Sequence, residues 1–346
     1  EGYRCIANGS MAASNSGVSY FSFLDIRTYN EYLQMENTVE FSSEAKREQY
    51  RAEVRMLRAM SYFWKVLCYG DFPFTDQVFT SLEESKIEKT PKATIVEFIK
   101  TELNACINAL PETAAAGRIT RGAAQAFLMR VNLLTGDYAG AESMANTIIS
   151  GGKYAMPELS YEESFLKANQ YNSEVIFTTE HVKPGYSMWF GAYMSNGYGG
   201  WSSIVPTKDL ADAYETKNGL TTDEDPTFDP ENPYVNRDPR LKATILYPGQ
   251  AYGIYADKGF GSLVKGDVDH GLTANNATHT GFNFKKFYSD LSEYDDYWDA
   301  ARNFPVLRYA EVLLSYAEAK IEQGEVDASV YDAINQVRTR AGMPNV

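Results

Sequence analysis

An amphipathic run over residues 44–69 constrains the fold more than any other part of the chain. Apolar and small side chains recur there at steps of three and four, which is the spacing of one face of an α-helix. Gly70 and Pro73 end the run, because Gly favours the left-handed conformation at a helix C-terminus and Pro prevents resumption. The predicted buried stripe comprises Tyr50, Val54, Leu57, Ser61, Trp64 and Leu67. Another face carries Arg51, Arg55, Arg58 and Lys65.

Six further helices are predicted from the same periodicity. They span residues 20–35, 91–110, 120–135, 138–150, 308–323 and 327–341. The two pairs that turn at Gly136 and Gly324 each match the helix–turn–helix unit of tetratricopeptide repeats, about 34 residues long. The sequence therefore predicts an all-α dominated fold, with a tetratricopeptide-like scaffold of helical hairpins.

Residues 171–304 differ in composition from these helical parts. They hold 13 of the 25 Gly and 3 of the 4 Trp residues. Short strand-like runs lie at 174–179, 243–247 and 282–287. Long ordered loops on a rigid frame usually carry binding residues. We therefore predict one domain over 1–346, with a helical scaffold at 20–170 and 305–346 and a loop-rich ligand-binding insertion between them.

Composition and charge exclude several classes of partner. The net charge is −14 and the pI is near 4.8. A negative surface repels nucleic acid and anionic lipid, but it does not repel neutral ligands such as sugars. No apolar run reaches the length of a membrane-spanning helix. Residues 1–19 are polar and predict a loop, and Cys5, Cys68 and Cys106 are too scattered for a disulfide framework and predict free thiols.

Six strings, in order along the chain, resemble the SusD/RagB family. They are RAEVRMLRAMSYFWKVLCYGDFPF (51–74), NSEVIF (172–177), PTKDLADAY (206–214), NRDPR (236–240), NFPVLRYAEVLLSYAE (303–318) and NQVRTRAGMP (335–344). Arg and Glu on packed helices commonly form partly buried ion pairs that fix register, so we interpret the charged motif residues as structural. These residues are Glu53, Arg55, Arg58, Arg237, Asp238, Arg308 and Glu311.

The resemblance implies a surface-exposed, lipid-anchored protein of the bacterial outer membrane. Such a protein captures oligosaccharide and passes it to a TonB-dependent, SusC-like transporter without cleaving it. Family members are usually longer at both ends. We therefore expect that the chain is truncated at both ends and that a signal peptide and an anchoring cysteine preceded it.

Sugar binding needs exposed aromatic rings, on which pyranose C–H groups stack, beside amides and acids that bind the hydroxyls. Two aromatic clusters of the insertion meet this need. Their predicted ligand contacts are Trp189, Tyr193, Asn196, Tyr198, Tyr294, Tyr297 and Trp298. A third cluster combines Tyr252, Tyr255 and Phe260 with Asn275 and Asn276. Trp201 directly precedes a family string and is predicted to pack in the core.

No motif for catalysis or for a cofactor is present in the sequence. The three His residues are scattered, and H-E-x-x-H, G-x-S-x-G and P-loop patterns are absent. We therefore predict no enzymatic activity, no cofactor and no metal. The acidic run of Asp223, Glu224, Asp225, Asp229 and Glu231 lacks the Gly-spaced pattern of a calcium loop and predicts a solvated surface loop.

Three functions remain open from the sequence. The chain is a glycan-binding protein, a peptide-capturing protein of the SusD/RagB type, or a plain tetratricopeptide scaffold for protein partners. The aromatic insertion favours the first over the third, because plain repeat scaffolds lack a loop region of this kind. Binding measurements are needed to separate glycan from peptide.

Overall fold

A computed structural model of the chain describes residues 9–12, 14 and 21–346. Cys5 and most of the loop predicted at the start of the chain lie outside the described residues. The chain forms two compact units, of which the first ends at Ala145 and the second begins at Asn146. The division into a scaffold and a ligand-binding insertion stays a prediction.

The first unit is built from helices. Its elements are α1 (Leu24–Met35), α2 (Glu44–Tyr69), β1 (Phe72–Pro73), β2 (Lys89–Thr90), α3 (Lys92–Ala109), α4 (Arg121–Leu134) and the start of α5 (Tyr138–Ser150). β1 pairs with β2, α2 packs against α1 and α3, and α3 packs against α4. The helices were all predicted within a few residues of their ends, and the predicted helix-dominated fold is confirmed.

Local sequence sets the ends of the helices. The Ser43 hydroxyl accepts a hydrogen bond from the Lys46 backbone N–H at 3.2 Å, which caps the start of α2. Gly70 ends α2 with a φ of 69°, a conformation that side chains with a Cβ rarely adopt. Asp137 caps α5, because its Oδ1 accepts a hydrogen bond from Gly140 N at 3.0 Å. The signals predicted at Gly70 and Asp137 are therefore confirmed.

The buried face of α2 differs from the predicted stripe. Its buried residues are Ala52, Glu53, Met56, Arg58, Ala59, Tyr62, Phe63, Lys65 and Val66. Trp64, predicted to be buried, is 47% exposed. The prediction was wrong because two of the cations occupy the core face. Arg58 pairs there with Glu102 at 2.6 Å and Lys65 pairs with Asp25 at 3.0 Å.

Glu102 is a buried carboxylate that joins α2 to α3. Its Oε1 accepts a hydrogen bond from Arg55 Nη2 at 2.7 Å, and its Oε2 accepts one from Arg58 Nη2 at 2.6 Å. Glu53, also on α2, pairs with Arg118. Each of these contacts fixes one segment against another, which agrees with the structural interpretation of the motif residues on α2.

Two further predictions concern membrane-spanning helices and the cysteine thiols. None of the helices described is both long and apolar enough to cross a lipid bilayer. Cys68 is exposed and Cys106 is buried, and both are free thiols as predicted. Burial raises the pKa of the Cys106 thiol to about 12, so this thiol stays protonated at neutral pH.

The second unit combines helices with short paired strands. Its elements are β3 (Val175–Thr179), α6 (Lys208–Asp212), α7 (Pro239–Thr244), β4 (Ile245–Leu246), β5 (Asn283–Phe284), β6 (Phe304–Arg308), α8 (Tyr309–Glu322) and α9 (Ala328–Arg340). β3 pairs antiparallel with β6, β4 pairs antiparallel with β5, and α8 packs against α9. The three predicted strands are present but shorter than predicted. The start of the second one, at residue 243, lies in α7 instead, because Asp238 caps that helix and Pro239 occupies its first position.

A buried carboxylate ties β3 and β6 to α9. Glu174, which directly precedes β3, is 1% exposed and pairs with Arg308 at the end of β6 and with Arg340 near the end of α9. Its carbonyl also accepts a hydrogen bond from Tyr309 N at 2.8 Å. Glu311 lies in the first turn of α8, where a negative charge favours the helix N-terminus. Arg308 is therefore an ion-pair partner within the fold, and the structural role assigned to Glu311 stays a prediction.

The NRDPR string joins a loop to α6 and α7. Arg237 is buried, and its guanidinium donates hydrogen bonds to the carbonyls of Ala211, Tyr214 and Pro233 at 2.9, 2.6 and 2.8 Å. Asp238 accepts a hydrogen bond from Arg240 N at 2.8 Å and so caps α7. Both side chains make hydrogen bonds within the fold, and their assignment as structural rather than ligand-binding residues stays a prediction.

Replacing Glu102 with Ala should leave Arg55 and Arg58 without the carboxylate they share. Removing one partner of a buried ion pair costs about 3–5 kcal/mol, because the remaining charge stays buried. We expect the free energy of unfolding, measured by urea denaturation, to fall by that amount. Arg27→Ala removes an exposed pair with Glu31 and should change it by less than about 1 kcal/mol. Equal losses in the two variants would contradict the role assigned to Glu102.

Candidate functional site

Two segments of the second unit, residues 188–203 and 287–300, meet side by side. Met188 and Ala300 form an antiparallel bridge, in which each backbone N–H donates to the other residue's carbonyl, at 2.9 and 3.1 Å. A further backbone hydrogen bond, from Gly191 N to the Tyr297 carbonyl, links the segments three residues beyond this bridge. The two segments therefore present their side chains to a common surface.

A small apolar core supports both segments. Its buried members are Phe190, Met194, Tyr288, Tyr294 and Ala300. The Phe190 and Tyr294 rings pack edge to face, with centroids 5.0 Å apart. The Tyr294 hydroxyl donates to the Phe287 carbonyl at 2.9 Å, and burial raises the pKa of this hydroxyl, so that it remains a donor. Packing and hydrogen bonds thus fix the surface above this core.

Three indole rings, those of Trp189, Trp201 and Trp298, lie on this framework, and we call them the tryptophan surface. Trp189 is 61% exposed and Trp201 is 51% exposed, whereas Trp298 is half-buried. The rings of Trp201 and Trp298 have centroids 4.6 Å apart and planes inclined by 58°. These two indoles therefore meet at an angle, and both side chains are at least partly accessible to solvent.

Gly191 is the position on which Trp298 rests. A Cβ atom at Gly191 would lie 2.3 Å from Cε2 of the Trp298 indole, which is far inside van der Waals contact. Both backbone polar groups of Gly191 form hydrogen bonds. Its N–H donates to the Tyr297 carbonyl at 2.9 Å, and its carbonyl accepts from Trp201 N at 2.8 Å. One glycine therefore sets the positions of two of the three tryptophans.

The chemistry available at this surface is that of binding. Exposed indole faces are costly to leave in water and stack favourably on the C–H faces of a sugar ring. Asp296 lies beside them, because its Oδ1 accepts a hydrogen bond from Trp298 N at 2.8 Å, and carboxylates accept hydrogen bonds from sugar hydroxyls. Within the described part of the chain, no three His, Cys, Asp or Glu side chains converge so that they could hold a metal ion.

The structure distributes the other predicted contact residues around this surface. Tyr297 is half-buried against the apolar core, and Tyr193 is half-buried with its carbonyl accepting a hydrogen bond from the Asn283 amide at 3.2 Å. Asn196 donates to the carbonyl of Val268. These three side chains are half-buried, as Trp298 is, and their contact with a ligand stays a prediction.

Of two further predicted contact residues, Tyr294 is buried and Tyr198 is half-buried. The Tyr294 ring belongs to the apolar core described above, so it does not form part of the exposed surface. Tyr198 is half-buried against Tyr255, and its hydroxyl accepts a hydrogen bond from Ile254 N at 2.9 Å. Tyr294, from the cluster of aromatic side chains next to acids, therefore packs beneath the loops, whereas Trp298 of the same cluster stays partly accessible.

Three expectations from the sequence need correction. Trp201 does not pack in the core but is exposed, because its ring lies against the outside of Trp298. Tyr255 and Phe260, from the third aromatic cluster, are buried in a core of their own. Asp225 in the acidic run is buried, and hydrogen bonds from Thr216 and other loop residues hold the pKa of its carboxyl far below its usual range.

Sequence reasoning alone did not place Gly191 and Trp201 at this surface. The usable signal was the concentration of tryptophan in the loop-rich part of the chain. Which of the tryptophans are exposed depends on contacts between segments about a hundred residues apart, and sequence periodicity does not report such contacts.

Comparison with known proteins identifies relatives of this chain. The family model described as SusD family matches residues 167–346. SusD-like protein P2 of Formosa agariphila is 26% identical, with 97% of this chain and 65% of that protein covered. The starch-binding protein SusD of Bacteroides thetaiotaomicron is 28% identical, with 92% of this chain and 62% of that protein covered. The chain thus spans less than two thirds of the length of these relatives.

Solved structures share the fold. The crystal structure of a SusD-like carbohydrate-binding protein from Bacteroides fragilis superimposes with a TM-score of 0.88 and 29% identity, covering 100% of this chain and 70% of the other. A laminarin-binding SusD-like protein gives a TM-score of 0.70 at 20% identity, covering 100% of this chain and 75% of the other. The second likeness shows the fold alone.

Replacing Gly191 with Ala should push the Trp298 indole out of its position. Overpacking of this kind costs about 1–3 kcal/mol, so we expect urea denaturation to show that loss. Trp298→Ala removes the ring that the new methyl group meets. In a double-mutant cycle, Gly191→Ala should therefore cost much less in the Trp298→Ala background. An equal cost in both backgrounds would show that Gly191 does not support Trp298.

Proposed function

This chain belongs to the SusD family, and we propose that it binds oligosaccharide at the tryptophan surface and does not cleave it. The observation that carries the proposal is the corner formed by Trp201 and Trp298, with a third exposed indole at Trp189. Rings fixed in this way lose little conformational entropy when a sugar stacks on them. Relatives that are named as starch-binding or carbohydrate-binding support the same assignment.

Binding without cleavage fits the state of the carboxylates near the tryptophans. Asp295 is engaged by Lys183, and Asp296 is engaged by the Trp298 backbone. Glycosidases need two carboxylates that face each other across the scissile bond, one of them a general acid with a raised pKa. The Asp295 carboxyl has its pKa lowered, chiefly by the hydrogen bond from Lys183, which is unsuited to proton donation.

We further propose that the protein works at the surface of the outer membrane, held there by a lipid anchor, and passes its ligand to a TonB-dependent, SusC-like transporter. This part of the proposal rests on the family alone. Co-purification with a transporter from detergent-solubilised membranes is the direct test, and a protein found without any membrane partner would argue against it.

Loss of the exposed indoles should weaken glycan binding. Truncation of an aromatic anchor costs more than about 1 kcal/mol, so we expect Trp201→Ala and Trp298→Ala each to weaken binding by about tenfold. The ligand would be chosen from a glycan array and the affinity measured by calorimetry. Trp64→Ala is the matched control, because Trp64 is exposed to a similar degree but belongs to the first unit.

The same measurement separates the competing functions. Equal affinity in all three variants would remove the tryptophan surface from the proposal. Binding of peptides but of no glycan would favour peptide capture instead. Release of reducing ends during incubation with a bound glycan would contradict the proposal that the protein is not an enzyme.

A further inference from the structure

We propose that the tryptophan surface selects uncharged oligosaccharides and excludes chains that carry carboxylate or sulfate groups. The inference rests on the proposed function and adds the substrate class to it. Its basis is a set of carboxylates that share one short segment with Trp298. These are Asp295, Asp296 and Asp299.

Two of these carboxylates are neighbours of Trp298 along the chain. Asp296 is exposed, and its Oδ1 accepts a hydrogen bond from Trp298 N at 2.8 Å, so its charge is one hydrogen bond away from the backbone that carries the ring. Asp299 follows Trp298 in the chain. The antiparallel bridge between Met188 and Ala300 places Asp299 opposite Trp189.

A third carboxylate and one cation complete the group. The Asp295 side chain is 88% exposed and pairs with Lys183. The pKa of Lys183 is raised, first by its hydrogen bond with Asp295 and further by the charges of Asp299 and Asp296. All three carboxylates therefore act on a single ammonium group. Three negative charges and one positive charge leave a net charge of minus two.

Two other cations of this region, Arg302 and Lys167, make contacts away from the indole rings. Arg302 is buried, and its guanidinium donates to the carbonyls of Asn303 and Phe165. Lys167 lies over the Tyr294 ring, 5.8 Å from its centroid. Neither side chain contacts an indole of the tryptophan surface in the described structure. The charge presented to a ligand on that surface is therefore negative.

A negatively charged surface favours neutral ligands over anionic ones. Sugar hydroxyls donate hydrogen bonds to carboxylates, whereas a ligand carboxylate or sulfate is repelled by them. Two unit charges a few ångströms away should weaken the binding of an anion by about five- to tenfold at low ionic strength. The effect should fall as the Debye length shortens to about 3 Å in 1 M salt.

The test compares a neutral glycan with its own oxidised form. An oligosaccharide that the array identifies as bound would be oxidised at its C6 hydroxymethyl groups to carboxylates. Calorimetry should give an affinity about five- to tenfold weaker for the oxidised form in low salt, and a smaller difference in about 1 M salt. Equal or tighter binding of the oxidised form in low salt would overturn the selectivity.

Variants separate charge from the loss of the C6 hydroxyl. Asp296→Asn/Asp299→Asn removes two negative charges and keeps the oxygen that accepts from Trp298 N. The ratio between the neutral and oxidised affinities should then fall towards one. Asp229→Asn/Glu231→Gln removes the same charge from another exposed loop and should leave the ratio as in the parent.

Each outcome bears on a different claim. An unchanged ratio in Asp296→Asn/Asp299→Asn, or an equal fall in the control variant, would overturn the role of these carboxylates while glycan binding stands. If the folded parent chain, checked by circular dichroism, binds no glycan on the array, the proposed function fails and the selectivity fails with it.

Discussion

Glu174 carries a negative charge into the interior of the second unit, where it is almost fully screened from water. Such a charge is tolerated only when it is paired and hydrogen-bonded, and here Arg308 and Arg340 supply both. The pairing closes β3 against β6 and holds the end of α9 against them. The segment between β3 and β6, which carries the tryptophan surface, therefore begins and ends at this pair of strands.

The tryptophan surface itself is specified by backbone as much as by side chains. Gly191 donates to one segment and accepts from its own, and its missing Cβ leaves room for an indole. The Phe190 and Tyr294 rings fill the space below. A surface assembled in this way is preorganised, which supports the proposal that it binds a ligand.

Periodicity and local turn chemistry were sufficient to predict the long helices and their approximate ends, because those depend on residues a few positions apart, but the two short helices α6 and α7 were not predicted. These signals did not predict which face of α2 is buried. Arg58 and Lys65 lie on the core face because their partners, Glu102 and Asp25, come from other helices. A rule that places cations in solvent cannot anticipate partners distant in sequence.

Dependence on contacts between residues distant in sequence also determines how much of the candidate site could be predicted. Its general location followed from composition, since tryptophan and glycine are concentrated in the loop-rich part of the chain. The exposure of Trp201 and the burial of Tyr294 depend on contacts across the site, with Trp298 and Phe190 respectively. Only the folded chain reveals these contacts.

The pairing of β3 with β6 has a consequence for how such a protein diversifies. Thr179 and Phe304 are paired residues, so the excursion of residues 180–303 leaves and re-enters the frame at neighbouring points. A segment with adjacent ends can change in length or be exchanged without straining the frame. Contacts such as that of Lys286 with Tyr161 would have to be kept. Recombination between related genes is therefore expected to replace this excursion in one step.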